Sequence, residues 1–304
     1  MDREVTLAAI AADQHGQFTH RQARACGFTV DEIRGRVERG VWTRPYLSTL
    51  RIAGAPVTWK GDLLAACWAG GTRAVASHRS AAALWGFAGG RTDLVELTCP
   101  RWRRARHHGL HAHESKKLDS RDVTIIDAIP VTSPELTLLH LGAGHGPMIV
   151  DMAYQKALKL GFVTWDSCDA LIARYSRQGR NGVAVLRQVI NLRDPSLLPT
   201  ASEMETFLLH LLRSHGFPEP VTQHPIRLPD GTRAYLDLAF PDFRLDIEYQ
   251  SFLHHSTELE RARDNRRRNL LRMVDWEQIE ARPDVRTDPK PFLGAIRKAM
   301  SRAV

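Results

Sequence analysis

Apolar positions recur at helical spacing at Met204, Phe207, Leu208, Leu211 and Leu212, the buried stripe of an amphipathic helix. Gly216 stops that helix, and Pro218 and Pro220 keep it stopped. The period then changes to two. From Tyr235 to Phe240, Leu236, Leu238 and Phe240 face one way and Asp237 and Ala239 the other. After a Pro241-Asp242 turn, Leu245, Ile247 and Tyr249 share one face, and Asp246, Glu248 and Gln250 share the opposite one. Two such strands predict a hairpin that brings Asp237 close to Glu248. An arginine-rich helix follows, docked by Leu270, Leu271, Met273 and Val274. Trp276–Ile279 reads as a closing strand and Pro291–Met300 as a last helix.

The first fifty residues alternate short helices with glycine stops. A helix over about Val5–Gln14 precedes two S/T-x-x-E/Q capping boxes, Thr19–Gln22 and Thr29–Glu32. The first opens a helix over Arg21–Cys26 and the second a helix to Arg39, ended by Gly27 and Gly40. Val41–Arg44 starts a wing that returns through Leu47–Ile52. This is a winged helix-turn-helix pattern, whose second helix would carry Arg34, Arg36 and Arg39 toward a DNA groove, with Arg44 on phosphate from the wing. The same motif also serves protein contacts. The middle predicts helices at Asp62–Trp68 and Ser80–Leu84, a strand at Val95–Thr98 and a strand pair over Ile125–Val131. It continues with an amphipathic helix from Ser133 through Leu141 and helices over Leu158–Arg174 and Val183–Asn191.

At 304 residues the chain suits two or three domains. The net charge of +8 is uneven: residues 196–304 hold 16 Lys+Arg and 16 Asp+Glu, so the preceding part carries the whole excess. That excess suggests an anionic partner, most often nucleic acid. No apolar run is long enough to span a membrane, no signal peptide is visible, and the four scattered cysteines read as reduced thiols. The cytoplasm is the expected compartment. Arg101, Arg103, Arg104, Arg106, His107, His108, His111 and His113 form the densest basic patch, with Trp102 among them. It suits phosphate or a solvated loop, and His111 and His113 could ligate a metal. No repeat, P-loop or dinucleotide fingerprint is present.

The chemistry concentrates after residue 200. Ionised carboxylates on an otherwise apolar sheet are costly unless paired or cation-bound, and oxygen ligands suit Mg²⁺ or Mn²⁺. The competing reading is a hairpin with its polar face in solvent. Glu203 and Glu205 both fit capping boxes, from Thr200 and Ser202; with Thr200 as the cap, Glu205 is left for chemistry.

Ser202-Glu-Met-Glu205, Leu236-Asp-Leu238, Ile247-Glu-Tyr-Gln-Ser251, His254-His255 and Arg263-Asp-Asn-Arg-Arg-Arg268 resemble, in order and spacing, the DUF559 family. That family belongs to the PD-(D/E)XK nuclease superfamily, beside the very-short-patch-repair endonucleases. The resemblance covers roughly the last third of the chain. It implies that Asp237 and Glu248 hold the metal and that Glu205 assists. Gln250 would orient water or phosphate, and His254 or His255 would serve as base or phosphate contact. Arg263, Arg266 and Arg267 would hold DNA. Two departures stand out: Gln250-Ser251 replaces an Asp-Gly, and no lysine lies between Lys159 and Lys290.

Phe18-Thr-His-Arg-Gln-Ala23, Gly27 and Glu38-Arg-Gly-Val-Trp42 resemble the AbiEi-type antitoxin winged helix, although Arg44-Pro-Tyr-Leu-Ser48 departs from its wing. Ser77-His-Arg-Ser80 resembles a pattern that follows the winged helix in those relatives, where His78 would touch DNA or pack. A cognate toxin is not thereby implied. The expected architecture is α+β and multidomain. It comprises a winged helix (1–54), an α+β middle (55–195) and a restriction-endonuclease-like α/β core with a mixed sheet (196–304). The expected function is metal-dependent DNA hydrolysis, with a homodimer if both strands are cut. The alternative is a regulator that binds DNA through a degenerate nuclease fold.

Overall fold

The computed structural model describes residues 2–101, 109–115, 118–176, 181–191, 203–249 and 258–302, with backbone alone for 258–264 and 283. The chain forms two compact units. One comprises residues 1–157 and 162–190, the other 158–161 and 191–304.

The first unit opens with α1 (Arg3–Ala12), β1 (Gln17–Thr19), α2 (His20–Ala25), α3 (Val30–Glu38), β2 (Trp42–Thr43) and β3 (Thr49–Ile52). Both capping boxes form: Thr19 Oγ1 accepts from the Gln22 amide at 3.2 Å, and Thr29 Oγ1 accepts from the Glu32 amide at 3.2 Å. The three strands order as β1-β3-β2, all antiparallel. Trp42 centres the core, edge-on to Phe18 at 5.0 Å and to Phe28 at 5.3 Å, with Leu7, Ile33 and Leu50 around them.

Next come α4 (Trp59–Gly70), β4 (Val75–Ala76), α5 (His78–Trp85), β5 (Val95–Cys99), β6 (Leu110–Glu114), β7 (Val123–Ile126) and β8 (Ile129–Thr132). They build a mixed sheet of order β6-β5-β4-β8-β7. Leu97, Ile129 and Val131 from the strands pack with Leu63 and Leu64 from α4. The expected boundary at residue 54 does not separate two units. A Cβ on Gly61 of α4 would lie 3.2 Å from the His15 carbonyl, and His15 Nε2 bonds the Asp127 carbonyl at 3.0 Å. The first three helices and their sheet therefore belong to one compact unit with the second sheet.

Four helices complete this unit: α6 (Pro134–Leu141), α7 (Pro147–Lys159), α8 (Trp165–Tyr175) and α9 (Val183–Asn191). Two expectations change here. The α6 helix is buried on every side from Leu136 to Leu141, so it is a core helix and not amphipathic. The single helix expected over Leu158–Arg174 is two. Gly161, with φ 69°, follows the end of α7, and a Thr164–Ser167 capping box opens α8. Asp122, buried before β7, accepts from Arg174 at 2.9 and 2.6 Å and from the Tyr175 hydroxyl at 2.6 Å, clamping α8 to the sheet.

The second unit contains α10 (Glu203–Ser214), β9 (Val221–Arg227), β10 (Arg233–Phe240), β11 (Leu245–Tyr249), α11 (Glu258–Arg272), β12 (Glu277–Ala281) and α12 (Lys290–Met300). Its sheet runs β12-β11-β10-β9, with β11–β12 parallel and the remaining pairs antiparallel. Leu208, Leu209 and Leu212 of α10 join Phe292, Leu293 and Ile296 of α12 over Leu238, Phe240, Leu245 and Ile247. Leu271 of α11 packs instead with Leu236 and Ala239. Leu236 therefore leaves the face expected for it. The break falls where Gln223, across from Asp237, takes a φ of 51°.

Candidate functional site

Alternation along β11 separates two environments. Leu245 and Ile247 enter the core under α10 and α12, which sends Asp246 and Glu248 to the other face. The parallel ladder sets Asp246 beside Gln278 and Glu248 beside Glu280. In the antiparallel ladder Leu238 pairs with Ile247, and Asp237, one residue before it, acts together with Glu248 on the Asp246 carboxyl. One face of three neighbouring strands thus carries four carboxylates and a glutamine.

Asp246 has no exposed surface. Its Oδ2 accepts from Gln278 Nε2 at 2.9 Å, while its Oδ1 is buried with no hydrogen-bond partner. Burial pushes its carboxyl up to about 7; Gln278 and Arg267 oppose the rise, and Glu248 and Asp237 add to it. Gln278 Nε2 also donates to Glu248 Oε2, so one amide holds two carboxylates. Asp237 is half-buried and accepts from Gln223 Nε2 at 3.1 Å. Burial raises its carboxyl too, against Gln223 and Arg267.

The α11 helix supplies the cations. Arg267 Nη1 donates to Glu248 Oε1 at 3.2 Å and its Nη2 to the Tyr235 carbonyl at 2.7 Å, and Arg268 pairs with Glu280. Guanidinium in this position neutralises part of the cluster and offers a planar donor to phosphate. A neighbouring cleft is lined by Arg233, Tyr235, Arg266 and Arg267.

The structure therefore brings together Asp237, Glu248 and Arg267 of the predicted site. Glu205 lies in the first turn of α10 and is buried. Arg266 stands at the surface, 3.6 Å from Asp230. Gln250, His254 and His255 fall outside the described residues, as does the side chain of Arg263. Asp246, Gln278 and Gln223 were missed as site residues. Asp246 was legible on the Glu248 face by parity alone; the two glutamines depend on strand pairings that sequence does not show.

In α3, Arg34 is exposed and paired within the same helix to Asp31 at 2.6 Å. Arg36 departs from its expected role. Its side chain is only 16% exposed and pairs with Glu4, and its guanidinium lies 4.6 Å from the Phe28 ring and 5.2 Å from the Trp42 ring. It is therefore packed onto the domain's aromatic core and does not face a groove. Arg39 and Arg44 are exposed and have no ion pair among the described residues.

Fold and site together define an α+β protein with two compact units, one bearing a small antiparallel sheet beside a mixed one and the other a carboxylate face on a mixed sheet. Among the described residues no helix is long and apolar enough to cross a membrane. No family model matches the chain. Two uncharacterized proteins of Mycobacterium tuberculosis, MT2308 of strain CDC 1551 / Oshkosh and Rv2248 of strain ATCC 25618 / H37Rv, are each 26% identical to it over 234 residues. Each alignment covers 77% of this chain and 83% of the relative.

Proposed function

We propose that this chain is a metal-dependent DNA endonuclease of the PD-(D/E)XK kind, with its winged helix as a DNA-binding module. The observation that carries this reading is Asp246. A carboxyl with no exposed surface and an unpartnered oxygen, set beside Glu248 and Asp237, needs either a proton or a cation.

The donor set fits a hard divalent ion. Asp246, Glu248 and Asp237 offer only oxygen, as Mg²⁺ or Mn²⁺ requires. Among the described residues no three His, Cys, Asp or Glu side chains already close around one point; Mg²⁺ commonly takes one or two carboxylates and keeps several waters. Such an ion supplies charge stabilisation to phosphoryl oxygens. In this proposal Asp237, Asp246 and Glu248 hold it, and Gln278 fixes two of those carboxylates in one orientation. Arg267 meets the phosphate, Gln250 orients a water, and His254 or His255 takes its proton. Glu205 supports the cluster from α10. Exposed Arg39 and Arg44 hold the DNA backbone at the winged helix. Cutting both strands calls for a second copy of the site.

The contact between Arg267 and Glu248 favours a second reading, in which the cation occupies the metal's place and the fold binds DNA without cutting it. Nicking of supercoiled plasmid in Mg²⁺, Mn²⁺ and EDTA, beside Glu248→Ala, separates the two. Cleavage abolished by EDTA and by the substitution supports the nuclease. Absence of cleavage in Mn²⁺, with DNA still shifted in a gel, supports the regulator.

A further inference from the structure

A cavity of about 460 Å³ opens in the first unit, and five histidines line it: His78, His111, His113, His140 and His145. Small-molecule pockets span roughly 300–1,000 Å³. The His78 ring lies between two others, 3.6 Å from His113 at an interplanar angle of 16° and 4.3 Å from His140 at 5°. Parallel rings at these spacings turn their nitrogen edges along the stack and do not aim them at one point. That geometry suits a ligand with several acceptor oxygens better than a single metal ion.

The hydrogen bonds set the polarity of the wall. Thr98 Oγ1 donates to Ser77 Oγ at 2.8 Å, and Ser77 Oγ contacts His78 Nδ1 at 2.9 Å. In the tautomer in which the Ser77 hydroxyl donates to Nδ1, His78 carries its proton on Nε2 and acts as a donor there. The cavity's carboxylate, Glu96, is fully engaged. It accepts from the Arg79 amide at 2.8 Å and from Arg79 Nε and Nη2 at 3.1 and 2.9 Å, and it lies 3.5 Å from His113 Nε2. Arg79 cancels its charge and keeps Nη1 unengaged among the described residues.

Asn181 reaches the cavity through a close backbone approach. A Cβ on Gly182 would lie 2.1 Å from the Leu139 carbonyl, so only glycine lets this loop meet α6. His78 itself sits at φ 52°, a conformation unusual for a residue other than glycine. Strain of this kind persists where the surroundings over-determine it, and it clusters at ligand sites.

We propose that this cavity binds a phosphate monoester, and that its volume accommodates a mononucleotide with the phosphate among the imidazole edges. Guanidinium Nη1, the Asn181 amide and the histidine donors complement a multi-oxygen anion, and no uncompensated carboxylate opposes it. The proposal stands apart from the nuclease reading and does not need it.

The test is titration of the full chain, labelled with ¹⁵N-histidine, using inorganic phosphate, adenosine 5′-monophosphate and adenosine. Wild type is run beside His111→Gln/His145→Gln and, as a surface control, His215→Gln. The expected result is saturable movement of a few of the fourteen histidine signals with the two phosphate-bearing probes and none with adenosine. The double variant is expected to weaken binding at least tenfold, and His215→Gln to leave it unchanged. Tighter binding of the nucleotide marks a nucleotide site, and equal binding a site for phosphate alone; both uphold the shared chemistry. Adenosine binding as tightly as its monophosphate overturns the proposal. Uniform drift of all histidine signals without saturation overturns it too, and that readout on wild type stands even if the double variant misfolds.

Discussion

Asp246 and Gln278 are partners across the parallel β11–β12 ladder, and Gln278 Nε2 donates to Asp246 Oδ2 at 2.9 Å. Because the same nitrogen also reaches Glu248, one neutral side chain holds two carboxylates that would otherwise repel. Gln278→Ala removes that donor and leaves both acids with an unmet acceptor. A loss of about 1–3 kcal/mol is expected, the range for stranding a buried polar group. Urea unfolding read through hydrogen exchange of residues 245–249 measures it. An unchanged opening free energy there refutes the role given to Gln278.

Asp246 gives the second unit a pH dependence of definite sign. Its carboxyl is raised from 3.8 to about 7 in the fold. The folded state therefore binds more protons than the unfolded chain between about pH 4 and pH 7, and stability falls as pH rises through that window. Asp246→Asn abolishes the slope and is expected to be the more stable form above pH 7, by an amount on the order of a few kcal/mol. Exchange of the β11 amides from pH 5 to 8 tests this. Parallel profiles for the two proteins contradict it.

Arg267 spans Glu248 and the Tyr235 carbonyl, so its removal affects DNA and the acids together. For Arg267→Ala, DNA affinity is expected to fall for every sequence alike. The slope of log affinity against log salt is expected to shrink by about one. An unchanged slope means the guanidinium never leaves Glu248 to meet phosphate.

The segment from α1 to β3 separates two kinds of arginine. Arg36 stacks on Phe28 and Trp42 and pairs with Glu4, whereas Arg39 and Arg44 are exposed. Arg36→Ala is expected to destabilise the first unit by about 1–2 kcal/mol, through lost cation–π contact and lost packing of the stem. Arg39→Ala/Arg44→Ala is expected to leave thermal stability unchanged and to weaken DNA binding. The reverse pattern places the DNA contact at Arg36.

These particulars show what the chain's pattern discloses. Both capping boxes and the β10–β11 hairpin follow from local chemistry and a period of two, and both features were legible. The division of the helix expected over Leu158–Arg174 was also marked, by Gly161 and Thr164, but a continuous apolar rhythm outweighed them. What stayed hidden is non-local. The β12 strand lies parallel to β11 and brings Gln278 to Asp246, and no neighbouring residue announces a parallel pairing. Arg36 looked like its neighbours on a basic helix; only the approach of Trp42 from the wing turned it inward. Three imidazoles from α5, β6 and α6 meet in one stack for the same reason.

Acid should open the first unit by a route that runs through Glu96. Burial alone would raise this carboxyl, but His113 and Arg79 outweigh it and hold it well below the usual carboxylate range. A depressed folded value means that the stabilisation is complete above the unfolded value, near 4.5, and is lost as pH falls below it. Glu96→Gln keeps the shape but strands the Arg79 guanidinium over a half-buried site. A loss of about 3–5 kcal/mol at pH 7 is expected, the usual result of breaking one side of a buried pair. The variant should also lose most of the acid dependence between pH 5 and pH 3, since the titrating group is gone. Exchange of the β5 amides in both proteins across that range decides the matter. If the variant opens as steeply with acid as wild type does, the lability belongs to another carboxylate.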